Sequence, residues 1–169
     1  MAADTCTRLH ARALRWLAQR EHSRSELRAR LLMVGRTADD RPESTGPALA
    51  ALVDAVLEQL QAQGYLSDQR FIDSRVHARQ GAWGARRIRH ELRQHGLALD
   101  DQQQQQLDAS ERARAQALWA RRFGTVAEAP AERARQMRFL AARGFSGEAI
   151  RHAVGGGGDD DEQPLADDA

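Results

Sequence analysis

Residues 57–96 read LEQLQAQGYLSDQRFIDSRVHARQGAWGARRIRHELRQHG, and the punctuation of this stretch decides the fold. Leu57 and Leu60 finish an apolar stripe at helical spacing, and Gly64 stops that helix. A glycine just past a helix end takes the left-handed conformation that lets the next amides reach the last free carbonyls. Tyr65 and Leu66 are expected to fold back as the hydrophobic contact after the stop. Ser67 and Asp68 open a second helix, where a side-chain oxygen accepts from free amides and a carboxylate suits the positive dipole end. Phe71, Ile72 and Val76 give that helix a buried face, and Gly81 and Gly84 break it. Trp83 precedes a cap at Gly84, with Ile88 four residues into the next helix, the spacing of a hydrophobic staple. Ile88 and Leu92 bury the third helix, and Gly96 ends it.

The same logic extends upstream. Leu9, Ala13, Trp16 and Leu17 predict a first helix over 5–20. Ser23 and Glu26 match a capping box, and Leu27, Leu31 and Val34 carry a second helix as far as Gly35. Residues 36–46 (RTADDRPESTG) read as a polar loop, and Pro47 suits a first helical position. Leu49, Leu52, Val53, Val56, Leu57 and Leu60 then form the cleanest amphipathic stripe in the chain.

Downstream, Asp100 with Gln103 caps a short helix to about Ala109, through a glutamine run anchored by Leu107 alone. Residues 110–123 form another, with Ala115, Leu118, Trp119 and Phe123 inward. Pro130 starts the next, with Ala134, Met137, Leu140 and Ala141 inward. Ser146 caps the last, in which Ala149, Ile150, Ala153 and Val154 face in. No stretch alternates as a strand would, so the fold class is all-α. Leucine stands four residues before Gly35, Gly96 and Gly144 alike, which predicts a tandem array of three three-helix, helix-turn-helix-like repeats. Their expected spans are 5–66, 67–109 and 110–154, in an elongated or curved array, with a disordered 1–4. Residues 155–169 are expected to be a flexible glycine linker and an acidic, disordered tail.

The net charge of +1 conceals an asymmetry. Six of the 24 acidic residues fall in 159–169, so residues 1–158 carry 25 basic against 18 acidic side chains, a net of +7. Every one of the 25 is arginine, whose planar fork suits phosphate and carboxylate, although a coding bias explains the missing lysine equally well. A basic body favours an anionic partner. There is no apolar run long enough to span a membrane and no secretory pattern at the start, and the lone Cys6 fits a reducing cytoplasm.

Chemistry of the catalytic kind is missing from the pattern. His10, His22, His77, His90, His95 and His152 form no HExxH pair and no ligand spacing with Cys6, so no metal is expected. The turn Gly81-Ala82-Trp83-Gly84 lacks the lysine and preceding strand of a phosphate loop. Ser23, Ser67 and Ser146 read as caps rather than nucleophiles. The expectation is a non-enzyme with no cofactor and no small-molecule substrate. What remains is arginine on helix faces. Arg24, Arg28, Arg86, Arg89, Arg93, Arg135 and Arg138 are the candidate binding residues, and Arg86, Arg89 and Arg93 share a sector of about 60° beside the Ile88/Leu92 stripe. A solvated face laced with pairs such as Glu26–Arg30 and Arg87–Glu91 is the competing reading. Aromatics mostly occupy apolar positions, which argues against binding single strands by base stacking.

Three stretches taken together resemble the RecX family, regulators of the RecA recombinase. Ser23-Arg24-Ser25-Glu26-Leu27 with Leu31 is similar to its first motif. Gly64-Tyr65-Leu66-Ser67-Asp68 with Phe71, followed by Gly84, Ile88, Glu91, Leu92 and Gly96, is similar to its central signature. Phe139-Leu140 and Arg143-Gly144-Phe145-Ser146 with Ile150 resemble its C-terminal motif. The resemblance spans about residues 10–154; the Gly155–Gly158 run and the acidic tail depart from the family pattern. It implies a cytoplasmic protein built of helical repeats that binds the RecA filament on DNA and restrains recombinase and ATPase activity in repair, recombination and the SOS response; a monomer is expected. Direct contact with DNA is also attributed to the family, and a stand-alone helical DNA-binding protein is the alternative. Within these motifs Ser23, Glu26, Gly64, Ser67, Asp68, Gly84, Ile88, Leu92, Gly96, Gly144 and Phe145 read as structural.

Overall fold

The computed structural model describes residues 2–38 and 46–155. Among them are nine helices and no strand: α1 (Ala2–Leu17), α2 (Arg24–Ala38), α3 (Gly46–Ala62), α4 (Asp68–Arg79), α5 (Ala85–Gln94), α6 (Asp101–Ala109), α7 (Glu111–Arg122), α8 (Pro130–Ala142) and α9 (Gly147–Val154). The protein is all-α, as its periodicity predicts. Residues 39–45 of the expected loop, and the expected linker and acidic tail beyond Gly155, lie outside the described residues. The chain forms two compact units, Met1–Ala78 with His90–Leu99, and Arg79–Arg89 with Asp100–Ala169. The division falls within α5.

The core of the first unit joins Leu9 and Ala13 of α1, Leu27 and Leu31 of α2, and the α3 stripe from Leu49 to Leu60, closed by Leu66. Helix α1 begins at Ala2, earlier than expected, with Asp4 in its first turn at the positive dipole end. Helix α2 runs through Gly35 instead of stopping there. A Cβ at Gly35 would lie 2.6 Å from Leu49, so this glycine lets α3 approach and is not a terminator. Gly64 does terminate α3, at φ +75°, and the amides of Tyr65 and Leu66 both reach the Leu60 carbonyl, at 2.9 and 3.1 Å. Only Leu66 folds back; Tyr65 is 54% exposed. Val76, placed with Phe71 and Ile72 by spacing, is only half-buried.

Ser67 caps α4 by accepting from the Arg70 amide at 3.3 Å. Asp68 does something else. Its carboxylate accepts from the Arg24 amide at 2.8 Å and so serves the first residue of α2. Ser23 accepts from the Glu26 amide at 3.1 Å, which is half of the expected box; the Glu26 carboxylate turns to Arg20 and His22. Next to this cap lies His95, with Nδ1 3.2 Å from the Ser23 hydroxyl, its carbonyl accepting from Ser25 at 2.7 Å, and its ring edge-on to Phe71.

In the second unit, Ala115, Leu118 and Trp119 of α7 pack with Leu140, Phe145 and the inner face of α9, while Phe139 and Phe123 meet edge-to-face at the margin. The α6 capping box of Asp100 and Gln103 is complete, and Ser146 accepts from the Ala149 amide at the start of α9. Helix α8 buries a different face from the expected one. Gln136 and Leu140 point in, whereas Met137 is 37% exposed and Ala141 lies outside. The reason is polar: the buried Trp119 indole donates to Gln136 at 2.9 Å, and Gln136 in turn donates to the Thr125 carbonyl.

The turn before α5 is held from three directions within this unit. The Gly84 amide donates to the Arg143 carbonyl at 2.9 Å, and a Cβ on Gly84 would come within 2.3 Å of the Gly144 carbonyl. Gly144 itself sits at φ +82° against the backbone of Arg87, a place closed to other residues. Arg114 of α7 donates to the carbonyls of Gln80, Trp83 and Leu107 at 3.2, 2.8 and 2.8 Å. The carboxylate of Glu111, buried to 7% exposure, accepts from the Ala85 amide at 2.8 Å and so caps α5.

Candidate functional site

The arginines that begin α5 are aimed by the end of α8. Arg86 donates to the Ala141 carbonyl at 3.2 Å and Arg87 to the Ala142 carbonyl at 3.3 Å. Both cations thereby sit at the negative end of the α8 dipole, where charge is favourable. The Arg87 guanidinium also lies 3.3 Å from the centroid of Trp83, which carries Arg79 at 5.5 Å as well. Trp83, read from spacing as half of a staple with Ile88, is thus a platform for guanidinium groups. One turn back along α8, Arg138 is exposed and meets no acceptor among the described residues. Arg135, a turn further back, makes only an exposed pair with Glu132 at 3.3 Å. Arg86 and Arg87 therefore lie at the C-terminal end of α8, with Arg138 one turn back and Arg135 near the middle of the helix, and little of their charge is answered locally.

The other candidates are placed elsewhere. Arg89 pairs with Asp108 at 2.9 Å. Burial alone would raise the Asp108 carboxyl, but hydrogen bonds from Gln104 and Arg89 hold it below its usual range. Arg93 is exposed and meets no acceptor among the described residues. In the first unit, Arg24 donates to Gln61, and Arg28 forks onto both oxygens of Asp54 at 2.7 and 3.0 Å, which holds that carboxyl low. The expected pairs along single helices are not the ones formed: Glu26 answers Arg20 and His22, and Glu91 answers Arg75 at 3.4 Å. Ile88, Leu92 and Phe145 are core, and Gly96, at φ +73°, follows the end of α5.

A cavity of about 520 Å³ opens beside the starts of α7 and α9, lined by Arg89, Asp108, Glu111, Arg112, Ser146 and Glu148. Arg112 and Glu148 pair across it, so its charges are mutually satisfied. Among the described residues no group of three or more His, Cys, Asp or Glu is placed to hold a metal ion, and no helix is long and apolar enough to cross a membrane.

Arg114, Glu111 and Gln136 have no part in the sequence reading, and Arg87 enters it only as half of a pair with Glu91. One signal was available: a buried tryptophan needs an acceptor for its N–H, and Gln136 was a polar residue on the facing helix.

Family models agree with this architecture. That for the third three-helix domain of RecX matches residues 110–154, and that for the second matches residues 67–104. The chain is 40% identical over 162 residues to the regulatory protein RecX of Ralstonia nicotianae, covering 93% of this chain and 94% of that one. It is 43% identical over 149 residues to the regulatory protein RecX of Leptothrix cholodnii, covering 86% and 87%. The crystal structure of RecX from Lactobacillus salivarius superposes with a TM-score of 0.64 over 90% of this chain and 96% of that chain, at 18% identity, a likeness of fold. With relatives this similar over nearly its whole length, and an all-α fold of the same kind, the chain belongs to the RecX family of regulatory proteins.

Proposed function

We propose that this protein binds the RecA filament on DNA and restrains it, lowering recombinase and ATPase activity in DNA repair and recombination. In this reading it acts in the cytoplasm, without a cofactor and as a monomer. The observation that carries the proposal is similarity over most of the chain to proteins named as RecX regulators. The basic surface at the end of α8 supports it chemically. Arg86 and Arg87 are held by carbonyls that do not neutralise them, and Arg138 is unanswered. Forked cations of this kind suit phosphates or carboxylates on a filament.

The test is RecA ATPase activity on single-stranded DNA with and without the protein. A dose-dependent fall is expected. Arg138→Glu should weaken that inhibition while leaving helicity intact, because an exposed charge change moves stability by less than about 0.5 kcal/mol. An unchanged ATPase rate at saturating protein would overturn the filament reading. Full inhibition by the Arg138→Glu variant would move the contact surface elsewhere.

A further inference from the structure

The side of α7 that packs on α9 outlasts its partner. The two helices start together, where Arg112 and Glu148 pair, and they run side by side through Ala115, Leu118 and Trp119 on α7 and Ala149, Ala153 and Val154 on α9. They are therefore parallel. Gly155 stands seven residues past Glu148, level with Trp119, which is seven past Arg112. Arg122 follows three residues on, about 4.5 Å further along the axis. It lies about 20° round α7 from Ala115 and about 40° from Leu118, so it continues the stripe that α9 covers. Yet Arg122 is exposed, with Arg121 beside it, because α9 ends at Val154. No acceptor among the described residues reaches either guanidinium, and Glu128 in the loop that follows α7 bonds neither.

We propose that Arg121 and Arg122 form a docking site for the acidic segment of this same chain, with Asp159, Asp160, Asp161 and Glu162 as its occupant. Packed helices lie about 8–10 Å apart, so the chain leaves Gly155 about 10 Å from the Arg122 backbone. The four residues from Gly155 to Asp159 span at most about 14 Å when extended, which covers that gap. Other arginines are worse placed. Arg86 and Arg87 sit at the end of α8, by the start of α9, so the length of α9, about 12 Å, separates them from Gly155. Arg151 turns back along α9 toward Gly147. A carboxylate accepts two parallel N–H bonds from a guanidinium fork. The half-charge at the end of α7 is negative, but two full cationic charges exceed it. A short tether holds the segment at an effective concentration on the order of millimolar, so individually weak pairs suffice. The site is thereby kept from other anions until salt or a stronger polyanion displaces the segment.

The test is paramagnetic broadening of amide resonances in the full chain, with the filament reading left to the separate ATPase assay. A nitroxide is carried by Gln163→Cys, next to the acidic run, with Cys6→Ser so that no other thiol competes. Amides from Arg121 to Gly124 should broaden at about 0.01 M salt and recover at about 1 M, as the screening length falls from about 30 Å to about 3 Å. Arg121→Gln with Arg122→Gln should abolish the salt-sensitive broadening. Asp159→Asn, Asp160→Asn, Asp161→Asn and Glu162→Gln together should do the same. Arg86→Gln with Arg138→Gln removes as much charge from the end of α8 and should leave it unchanged. Broadening that is indifferent to salt, or that survives in the α7 double variant with helicity preserved, would report only the tether and overturn the proposal. So would an equal loss in the α8 control, which would assign the effect to net charge. Salt-sensitive broadening at Arg86 and Arg138 instead of α7 would seat the segment on the α8 arginines and overturn it too.

Discussion

Gly84 and Gly144 meet backbone to backbone: a Cβ on Gly84 would stand 2.3 Å from the Gly144 carbonyl carbon and oxygen, while the Gly84 amide donates to Arg143 at 2.9 Å. The contact sets the start of α5 on the turn between α8 and α9, inside one compact unit. Backbone cannot move aside as a flexible side chain can. Gly84→Ala should therefore sit at or above the upper end of the roughly 1–3 kcal/mol typical of overpacking. Urea denaturation checks this, and a midpoint equal to the parent's would show that the turn yields freely. Gly81→Ala, where a Cβ meets nothing within 4 Å, is the matched control.

Asp68 should stabilise α2 more than its own helix. Its carboxylate accepts from the Arg24 amide, while Ser67 already caps α4. Asp68→Ala should cost about 1 kcal/mol, the usual value of a lost N-terminal acceptor. Asp68→Asn keeps an acceptor oxygen and should recover most of it. Amide exchange would speed up at the start of α2. Faster exchange at the start of α4 alone would assign Asp68 to its own helix instead.

Arg114 ties the Gln80–Trp83 turn and the end of α6 to α7 through three carbonyls. Burial pushes this guanidinium below its ordinary value, against the opposing charges of Glu111 and Asp108, but arginine stays protonated throughout. Arg114→Met fills similar space and leaves those carbonyls without a donor, at about 1–3 kcal/mol for each one that stays buried. Thermal unfolding followed by circular dichroism reads the loss. A variant as stable as the parent would mean that water replaces the guanidinium.

His22 gives stability a pH dependence with a definite sign. Its ring is buried, and Nδ1 lies 3.2 Å from a Glu26 oxygen but off the hydrogen-bond direction. Burial lowers its pKa from the ordinary 6.5; Glu26 opposes this, and Arg20 and Arg30 add to the lowering. Above 6.5 the ring is neutral in folded and unfolded chains alike. Below 6.5 the unfolded chain takes the proton first, so stability falls until the lower folded-state value is reached. Glu26 works in another window. Burial would raise its pKa, but the Arg20 hydrogen bond and the charge of His22 outweigh that, so its contribution is present above 4.5 and lost below. Urea midpoints between about pH 7 and pH 5 should fall in the parent and fall less in His22→Gln. Equal slopes would show that the ring is protonated as easily when folded.

What the sequence made legible is whatever depends on one helix at a time. The stripe from Leu49 to Leu60, the stop at Gly64 and the capping box of Asp100 and Gln103 are local patterns, and all three form as read. The errors sit where a second helix decides. Gly35 looks like a terminator until Leu49 is packed against it. Met137 looks apolar and inward until Trp119 turns Gln136 toward the core. Asp68 looks like a cap for its own helix, because nothing in its neighbourhood points to Arg24, 44 residues earlier. Arginines carry the same ambiguity. Arg28 and Arg138 look alike in the chain, and only the fold gives one a carboxylate fork and the other none.

The tryptophans have a consequence for optical measurement. Trp16 belongs to the first unit, while Trp83 and Trp119 belong to the second. Trp119 is buried with its N–H bonded to Gln136, whereas Trp16 and Trp83 lie half-exposed beneath guanidinium groups. Emission from the intact chain therefore blends two environments and two units. A chain that keeps only Trp16 would report the melting of one unit, and a chain that keeps only Trp119 that of the other. Coincident transitions from the two dyes built into the sequence would mean that both units unfold as one cooperative body.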